Sequence, residues 1–514
     1  MVIFAAGVLV GLGAARLLDR GGDSGEVRFA QRGGDVWAAD VTVRGTATGC
    51  DQVLVRARGR ELKAAPGRFT AQVELQRGDN EVTAECGDAK AEREYVRRDK
   101  PLPAPDGTSG RPQWVDEAVV YGVVPRVFGE TGGLSDVTAR LDDLADLGVT
   151  ALWLAPINAT PEGDFGYAVT DYFALRDDYS ASDFRKLVQE SHKRGIRVLM
   201  DFVPNHTSNA HPYFKDAQAF GRASRYWSFY DRDVDGQPTN YFDWTHLPNL
   251  DYSNPEVRTM ILDAFAYWVR DFDVDGFRVD VAWGVKERAP EFWPEWRARL
   301  KALKPDLLLL AEASARDPYY FTHGFDAAYD WTDELGHWAW EGVFDAATPA
   351  ELVERLDAAI GASYSPGRLV FRFLNNNDTG SSFVGRYGTD ITRVASALLL
   401  TLPGIPEIYT GEEYGEIFSP YEDTAPLVWR DRFGLREHYK QLIALRKRLP
   451  ALHGPGFERL RVDGAPGVYA YRRTAPGAKP VVVVLNFAGV PRDVELPEGR
   501  FHLPAYDFRI EEAG

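Results

Sequence analysis

The sequence predicts an α/β fold: a (β/α)8 TIM barrel over residues 115–450, with a subdomain of about 207–255 inserted after its third strand. An N-terminal β-sandwich precedes the barrel, and a C-terminal antiparallel β-domain follows it. Three observations carry this expectation. Short, continuously apolar runs alternate with amphipathic stretches through the middle of the chain, as in a parallel sheet covered on both faces. Eight such runs fit within roughly 300 residues, the scale of a closed barrel. On either side of that region, apolar and polar residues alternate strictly between Gly, Asp and Asn, which marks half-buried antiparallel strands.

The chain opens on "MVIFAAGVLVGLGAARLL", apolar up to Arg16. Such a run is short for a membrane span and close to a signal-peptide core. Residues 1–25 are therefore expected to be a signal peptide or an N-terminal anchor, with export from the cytoplasm. No Lys or Arg precedes the run and no A-x-A site follows it, so a buried helix is the alternative. Residues 26–97 contain "ADVTVRG", "QVLVRARG", "FTAQVELQRG" and "NEVTAEC", which predict a small Ig-like β-sandwich. The chain's two cysteines, Cys50 and Cys86, both lie in this segment. In an oxidising compartment they would pair, adding roughly 3–4 kcal/mol in the chain-entropy picture; otherwise they are two separate buried thiols. Residues 98–114 are rich in Pro, Gly and charge, and read as a linker.

The barrel strands are expected at "AVVYGVV", "ALWLAP", "RVLMDFV", "GFRVDVA", "LLLLAEA", "FDAAYD", "LVFRFLN" and "IPEIYTG". Helical stretches such as "ASDFRKLVQESHKRG" and "VRTMILDAFAYWVRDF" separate them. The stretch after "DFVPNH" is too long for an ordinary βα loop, hence the insertion. A last helix, "EHYKQLIALRKRLPALHG", leads into the strands of 451–514. The formal charge of −17 excludes nucleic acid as the main partner, since phosphate binding requires a basic face.

Function in such barrels sits where strands end and βα loops begin. The third strand ends with Asp201, Asn205 and His206, and the fourth with Arg278 and Asp280. The fifth ends with Glu312, and the seventh with Asn376, Asn377 and Asp378. Three carboxylates from three strands thus converge on one mouth. Crowded carboxylates cannot all ionise at their ordinary pKa, and a protonated acid beside an ionised partner is what glycosidic cleavage needs. Arg278 and Asp280 are two apart on a strand, so they share a face. The Arg is expected to keep Asp280 ionised.

These residues resemble the α-amylase superfamily, glycoside hydrolase family 13, over roughly 115–510. "DFVPNH", "GFRVD", "AEAS" and "FLNNND" are similar to its four motif regions, in order. "GVTALWLAPI", "GYAVTDY", "LPNLDYSNPEV" and "LPGIPEIYTGEEYG" look like its flanking regions. The resemblance implies that Asp280 is the nucleophile, Glu312 the general acid/base and Asp378 the transition-state stabiliser. It further implies that Arg278 orients the nucleophile, Tyr167 stacks on the reacting sugar and His206 hydrogen-bonds that sugar. The implied reaction is retaining cleavage of α-1,4 linkages in an α-glucan such as starch, a maltodextrin or a cyclodextrin, with no organic cofactor. Transfer to a sugar hydroxyl through the same intermediate is the alternative, and a non-catalytic binding subunit is a third reading.

The chain also departs from the family pattern. Asn377 stands where the family has a His that donates to the substrate; it is expected to bind substrate through a hydrogen bond of its own, but it is shorter and uncharged, which implies weaker transition-state binding or an altered substrate. Trp283 and Gly284 stand where α-amylases place Lys-His, and Trp283 either lines the site or packs against the insertion. Phe165 and Ala168 replace His and Asp. The family's calcium implies Asn205 as one ligand. "DRDVDG" at 231–236 resembles the start of a calcium loop but has Phe242 where Glu would close it, so a solvated turn is the alternative. Phe29, Trp37, Phe69 and Tyr95 are the few aromatic residues of the sandwich, leaving a spacer and a starch-binding role equally open.

Overall fold

The computed structural model describes residues 25–98, 102, 110–332, 336–363, 365 and 367–513. The apolar N-terminal run and most of the expected linker lie outside the described residues. The chain divides into two compact units, Met1–Arg98 and Asp99–Gly514.

In the first unit a three-stranded and a five-stranded sheet form the sandwich. Alternation does the sorting. In Gly67–Glu74, Phe69, Ala71 and Val73 turn inward while the residues between them face solvent. They meet Val43, Val53, Val55 and Val82 in one core. Cys50 and Cys86 form a disulfide with Cα atoms 5.4 Å apart. It ties the chain just beyond Asp40–Thr48 of the smaller sheet to the end of Gly78–Cys86 in the larger.

In the second unit eight parallel strands close a barrel. They are β1 (Val120–Val123), β2 (Ala151–Leu154), β3 (Arg197–Phe202), β4 (Gly276–Val279), β5 (Leu308–Ser314), β6 (Ala327–Tyr329), β7 (Leu369–Phe373) and β8 (Ile405–Tyr409). Every residue of β1, β2 and β4 is buried, which explains the unbroken apolar character of the first two; β4 is interrupted by one charged residue, Arg278. The register that sets the site pairs Asp201 on β3 with Arg278 on β4.

The insertion between β3 and the helix Pro255–Phe272 contains one α-helix, Pro212–Phe220, two short 3-10 turns, and loops joined by isolated bridges such as His206 to Asn249. Asn254 caps the helix Pro255–Phe272 by accepting from the Glu256 amide at 2.9 Å, and Pro255 fills the first turn where no donor is needed. Its face of Val257, Ile261, Phe265 and Trp268 is buried. Each such side chain contributes about 1.5–3 kcal/mol through burial.

The C-terminal region forms a four-stranded antiparallel sheet and a hairpin over a core that includes Val482, Val484, Phe501 and Leu503.

Candidate active site

Arg278 is the hub. It projects from β4 with no solvent exposure. Its Nη1 donates to Asp280 Oδ1 at 2.8 Å and to Asp201 Oδ1 at 3.0 Å. Its Nη2 lies 2.7 Å from Glu312 Oε1. Its Nε donates to the Tyr329 hydroxyl on β6 at 2.9 Å. One guanidinium therefore fastens three buried carboxylates delivered by β3, β4 and β5.

The turn after β4 completes this arrangement. Val281 has φ of +46°, a left-handed conformation that costs a β-branched residue about 1–3 kcal/mol. In return, its amide donates to Glu312 Oε2 at 2.7 Å. Strain at position 281 thus presents Asp280 and orients Glu312 together.

Arg278 favours the ionised Asp280 carboxylate, as expected, but it works against opposing causes. Burial pushes the Asp280 carboxyl well above its ordinary range, the neighbouring Glu312 charge pushes it further, and Arg278 opposes both. Burial also raises Glu312 to about 7 and Asp201 to about 6, again against Arg278. Three carboxylates against one cation leave an excess of negative charge, which the low-dielectric site relieves by retaining a proton. The cluster therefore carries both an acid and an ionised carboxylate near neutral pH.

The seventh-strand loop is built by its asparagines. Asn376 Oδ1 accepts from the amides of Asp378 at 2.8 Å and Thr379 at 3.0 Å, turning the chain sharply. Asn375 holds the turn down through Phe383 and Glu412. Asn377 and Asp378 are left facing the pocket. This cavity of about 360 Å³ is also lined by Tyr167, His206, Tyr241, Asp280, Glu312 and Tyr421. Asp378 is exposed, and its Oδ1 accepts from the Tyr421 hydroxyl at 2.7 Å.

Tyr167 is held by a glycine-dependent turn. Gly166 has φ of +138°, and a Cβ there would come within 2.7 Å of the Pro156 carbonyl oxygen. The Tyr167 hydroxyl donates to Asp201 Oδ2 at 3.2 Å, so Asp201 orients its neighbours. His206 is kept neutral because burial lowers it to about 3. Its Nδ1 accepts from Asn205 Nδ2 at 3.0 Å and its Nε2 faces the Tyr167 carbonyl at 3.2 Å.

Asn205 does not fit a metal ligand here. Its Oδ1, the atom a calcium ion would need, accepts from Arg288 Nη2 at 2.6 Å, and the same nitrogen reaches the Asn205 carbonyl at 3.1 Å. Asp231 and Asp251 are close enough to favour the Arg288 charge. A guanidinium from the helix after β4 thus ties the start of the insertion to the barrel. In "DRDVDG", Asp233 Oδ1 accepts from the amides of Asp235 at 3.0 Å and Gln237 at 2.8 Å, which is a turn. Among the described residues no group of three or more His, Cys, Asp or Glu side chains is gathered to hold a metal.

Trp283 packs on Tyr241 and Phe242, with ring centroids 6.0 and 5.6 Å away. It therefore packs against the insertion. Sequence reasoning missed Tyr421, Tyr329 and Tyr241. The run "YFDW" at 241–244 was a usable signal, because such aromatic density is unusual in an inserted loop. Tyr421 carried none: it sits in a loop without periodicity.

A family model described as the alpha amylase catalytic domain matches residues 106–425. The alpha-amylase MalA of Haloarcula japonica is 32% identical over 398 residues, covering 76% of this chain and 58% of that protein. A cyclomaltodextrinase of Geobacillus thermopakistaniensis is 31% identical over 431 residues, covering 75% of this chain and 71% of that protein. The type III pullulan hydrolase of Thermococcus kodakarensis shares the fold at TM-score 0.68, with 23% identity, 95% of this chain and 100% of that chain covered.

Proposed function

Since the chain belongs to the alpha-amylase family of glycoside hydrolases, we propose that it hydrolyses α-glucosidic, chiefly α-1,4, bonds in starch, maltodextrins or cyclodextrins by double displacement. The observation that carries this reading is the single buried guanidinium that fastens Asp280 and Glu312 at the barrel mouth. Shared attachment favours the short carboxyl separation of retaining enzymes, ~5–5.5 Å, over the wider one of inverting enzymes. Glu312 gives its proton to the leaving oxygen while an Asp280 oxygen attacks the anomeric carbon. A glycosyl-enzyme ester forms. Glu312, now ionised, takes a proton from water, which displaces Asp280 and releases the sugar. Proton NMR of the first product tests this: the α-anomer is expected, and the β-anomer appearing first overturns it.

Transfer to a sugar acceptor is the second reading. It is favoured by Phe242 and Trp244, aromatic rings 57% and 53% exposed on the insertion beside Tyr241. Such rings would hold an acceptor sugar against the intermediate by stacking. Products longer than maltoheptaose, formed from maltoheptaose, identify transfer.

The Cys50–Cys86 disulfide supports export to an oxidising compartment. Among the described residues no helix is long and apolar enough to cross a membrane. A tether through residues 1–25 is thus a matter for fractionation with and without that segment. The Arg288 contact to Asn205 supports activity that does not depend on calcium.

A further inference from the structure

The pocket contains a hydrogen-bonded chain whose direction is set by the chemistry of its members. Asn377 Nδ2 lies 3.1 Å from the Tyr167 hydroxyl and 2.7 Å from the Tyr421 hydroxyl. The Tyr167 oxygen is 3.2 Å from Asp201 Oδ2, and the Tyr421 oxygen 2.7 Å from Asp378 Oδ1. An amide nitrogen only donates, and an ionised carboxylate only accepts. Each phenol must therefore accept from Asn377 and donate its own proton onward. The two hydrogens of one amide thus direct two phenol protons, one to each of two carboxylates.

The two ends differ in what else supports them. Asp201 also accepts from Trp153 and Arg278. Among the described residues, the Tyr421 hydroxyl is the hydrogen-bond partner of the Asp378 carboxylate. Tyr421 is itself braced from outside the chain of bonds. Its ring packs on Phe165 at 4.8 Å, and Phe165 stacks on Tyr167 at 5.7 Å. Arg126 donates to the adjacent Pro420 carbonyl. The Asp423 carboxylate caps the turn through the Ser419 amide at 2.7 Å.

We propose that Asn377 and Tyr421 are positioning residues that aim Asp378 at the reacting sugar: Asn377 fixes the direction of the Tyr421 hydroxyl, and that hydroxyl holds the Asp378 carboxylate. This rests on the reading of the site as an α-glucan hydrolase. It gives the asparagine at 377 a purpose. A neutral imidazole has one N–H and can serve only one of the two phenols.

The test compares wild type, Tyr421→Phe, Asn377→His and the double variant on maltotriose and maltoheptaose. Tyr421→Phe removes one oxygen from a rim residue 43% exposed, so the fold is not at risk. Misaiming the carboxylate is expected to lower kcat about 10–100-fold with KM within about threefold. Asn377→His is expected to lower kcat as well. The double variant should be no more than about threefold worse than the poorer single, because both act on one bond. Tyr421→Phe within twofold of wild type overturns the proposal. So does a loss carried by KM alone, full additivity, or Asn377→His at or above wild-type activity. If wild type itself releases no sugar from either substrate, the α-glucan reading falls and takes this inference with it.

Discussion

The two sides of the pocket hold their carboxylates in opposite ways. On the inner side, Asp280, Glu312 and Asp201 are buried around one guanidinium and are braced by a strained turn at Val281. On the rim, Asp378 is exposed and hangs on a single phenol from the loop after β8. The inner side concentrates charge that burial makes costly, and its acids are tuned by that cost. The rim carries its carboxylate at the solvent edge, where the Tyr421 hydroxyl holds it. Reactivity is therefore set inside and aim is set outside.

The largest expected effect breaks the inner side. Asp280→Asn should lower kcat by roughly four orders of magnitude or more, as loss of a nucleophile does elsewhere. It should also raise the melting temperature, because it removes one of the three buried carboxyls that compete for Arg278. Asp378→Asn should lower activity too, yet leave the melting temperature unchanged, since an exposed substitution is usually worth less than about 0.5 kcal/mol. Equal thermal shifts for the two variants, measured by calorimetry, would erase the distinction.

Glu312→Gln comes next. It should strongly impair maltodextrin cleavage and spare activated aryl or fluoride substrates, whose leaving groups need no proton. Equal losses on both substrate types would remove Glu312 from the acid's role.

pH sharpens the contrast further. With Glu312 raised to about 7, kcat/KM should fall as pH rises through about 7, when the acid is lost. Stability should follow. Glu312, Glu412 and Glu413 are raised by burial to about 7, 7 and 8. The folded state therefore holds protons that the unfolded chain, with carboxyls near ~4.3, has released. That contribution is present in full below the unfolded value and is lost as pH rises through the folded ones. The melting temperature should decline between about pH 4.5 and 8, and a rise across that window would contradict the assignment.

The smallest expected effect concerns the junction at Asn205. EDTA should change kcat by less than about twofold, because Arg288 already occupies the Asn205 oxygen. A large loss restored by calcium would show that the guanidinium yields to a metal.

Most of the frame was legible in the sequence because strands buried on both faces leave unbroken apolar runs. Seven of the eight expected barrel runs contain the observed strand whole, and the fifth stops one residue short of Ser314. The inner side was legible for a related reason: Asp201, Arg278 and Glu312 ride on those strands and Asp280 directly follows one, so their order and spacing survive in the chain. The forces that oppose Arg278 at Asp280 were not legible, because sequence shows that Arg278 is near but not that it is shared three ways, nor how deep the burial is. The rim was hidden. Tyr421 meets Asp378 from 43 residues away through a loop without periodicity. Nothing in the sequence sets Arg288 apart: it ends the helix Ala282–Arg288, where Lys or Arg commonly sits for the helix dipole.

One measurement reaches the division of labour between the two inner acids most directly. Glu312→Gln is incubated with an α-glucosyl or α-maltosyl fluoride, which needs no acid to leave, and the digested protein is examined by mass spectrometry. A glycosyl mass on the peptide carrying Asp280, formed with the enzyme slow to shed it, is the expected result. A stable adduct on any other carboxylate, or fluoride released in repeated turnovers with inverted product and no adduct, would contradict it.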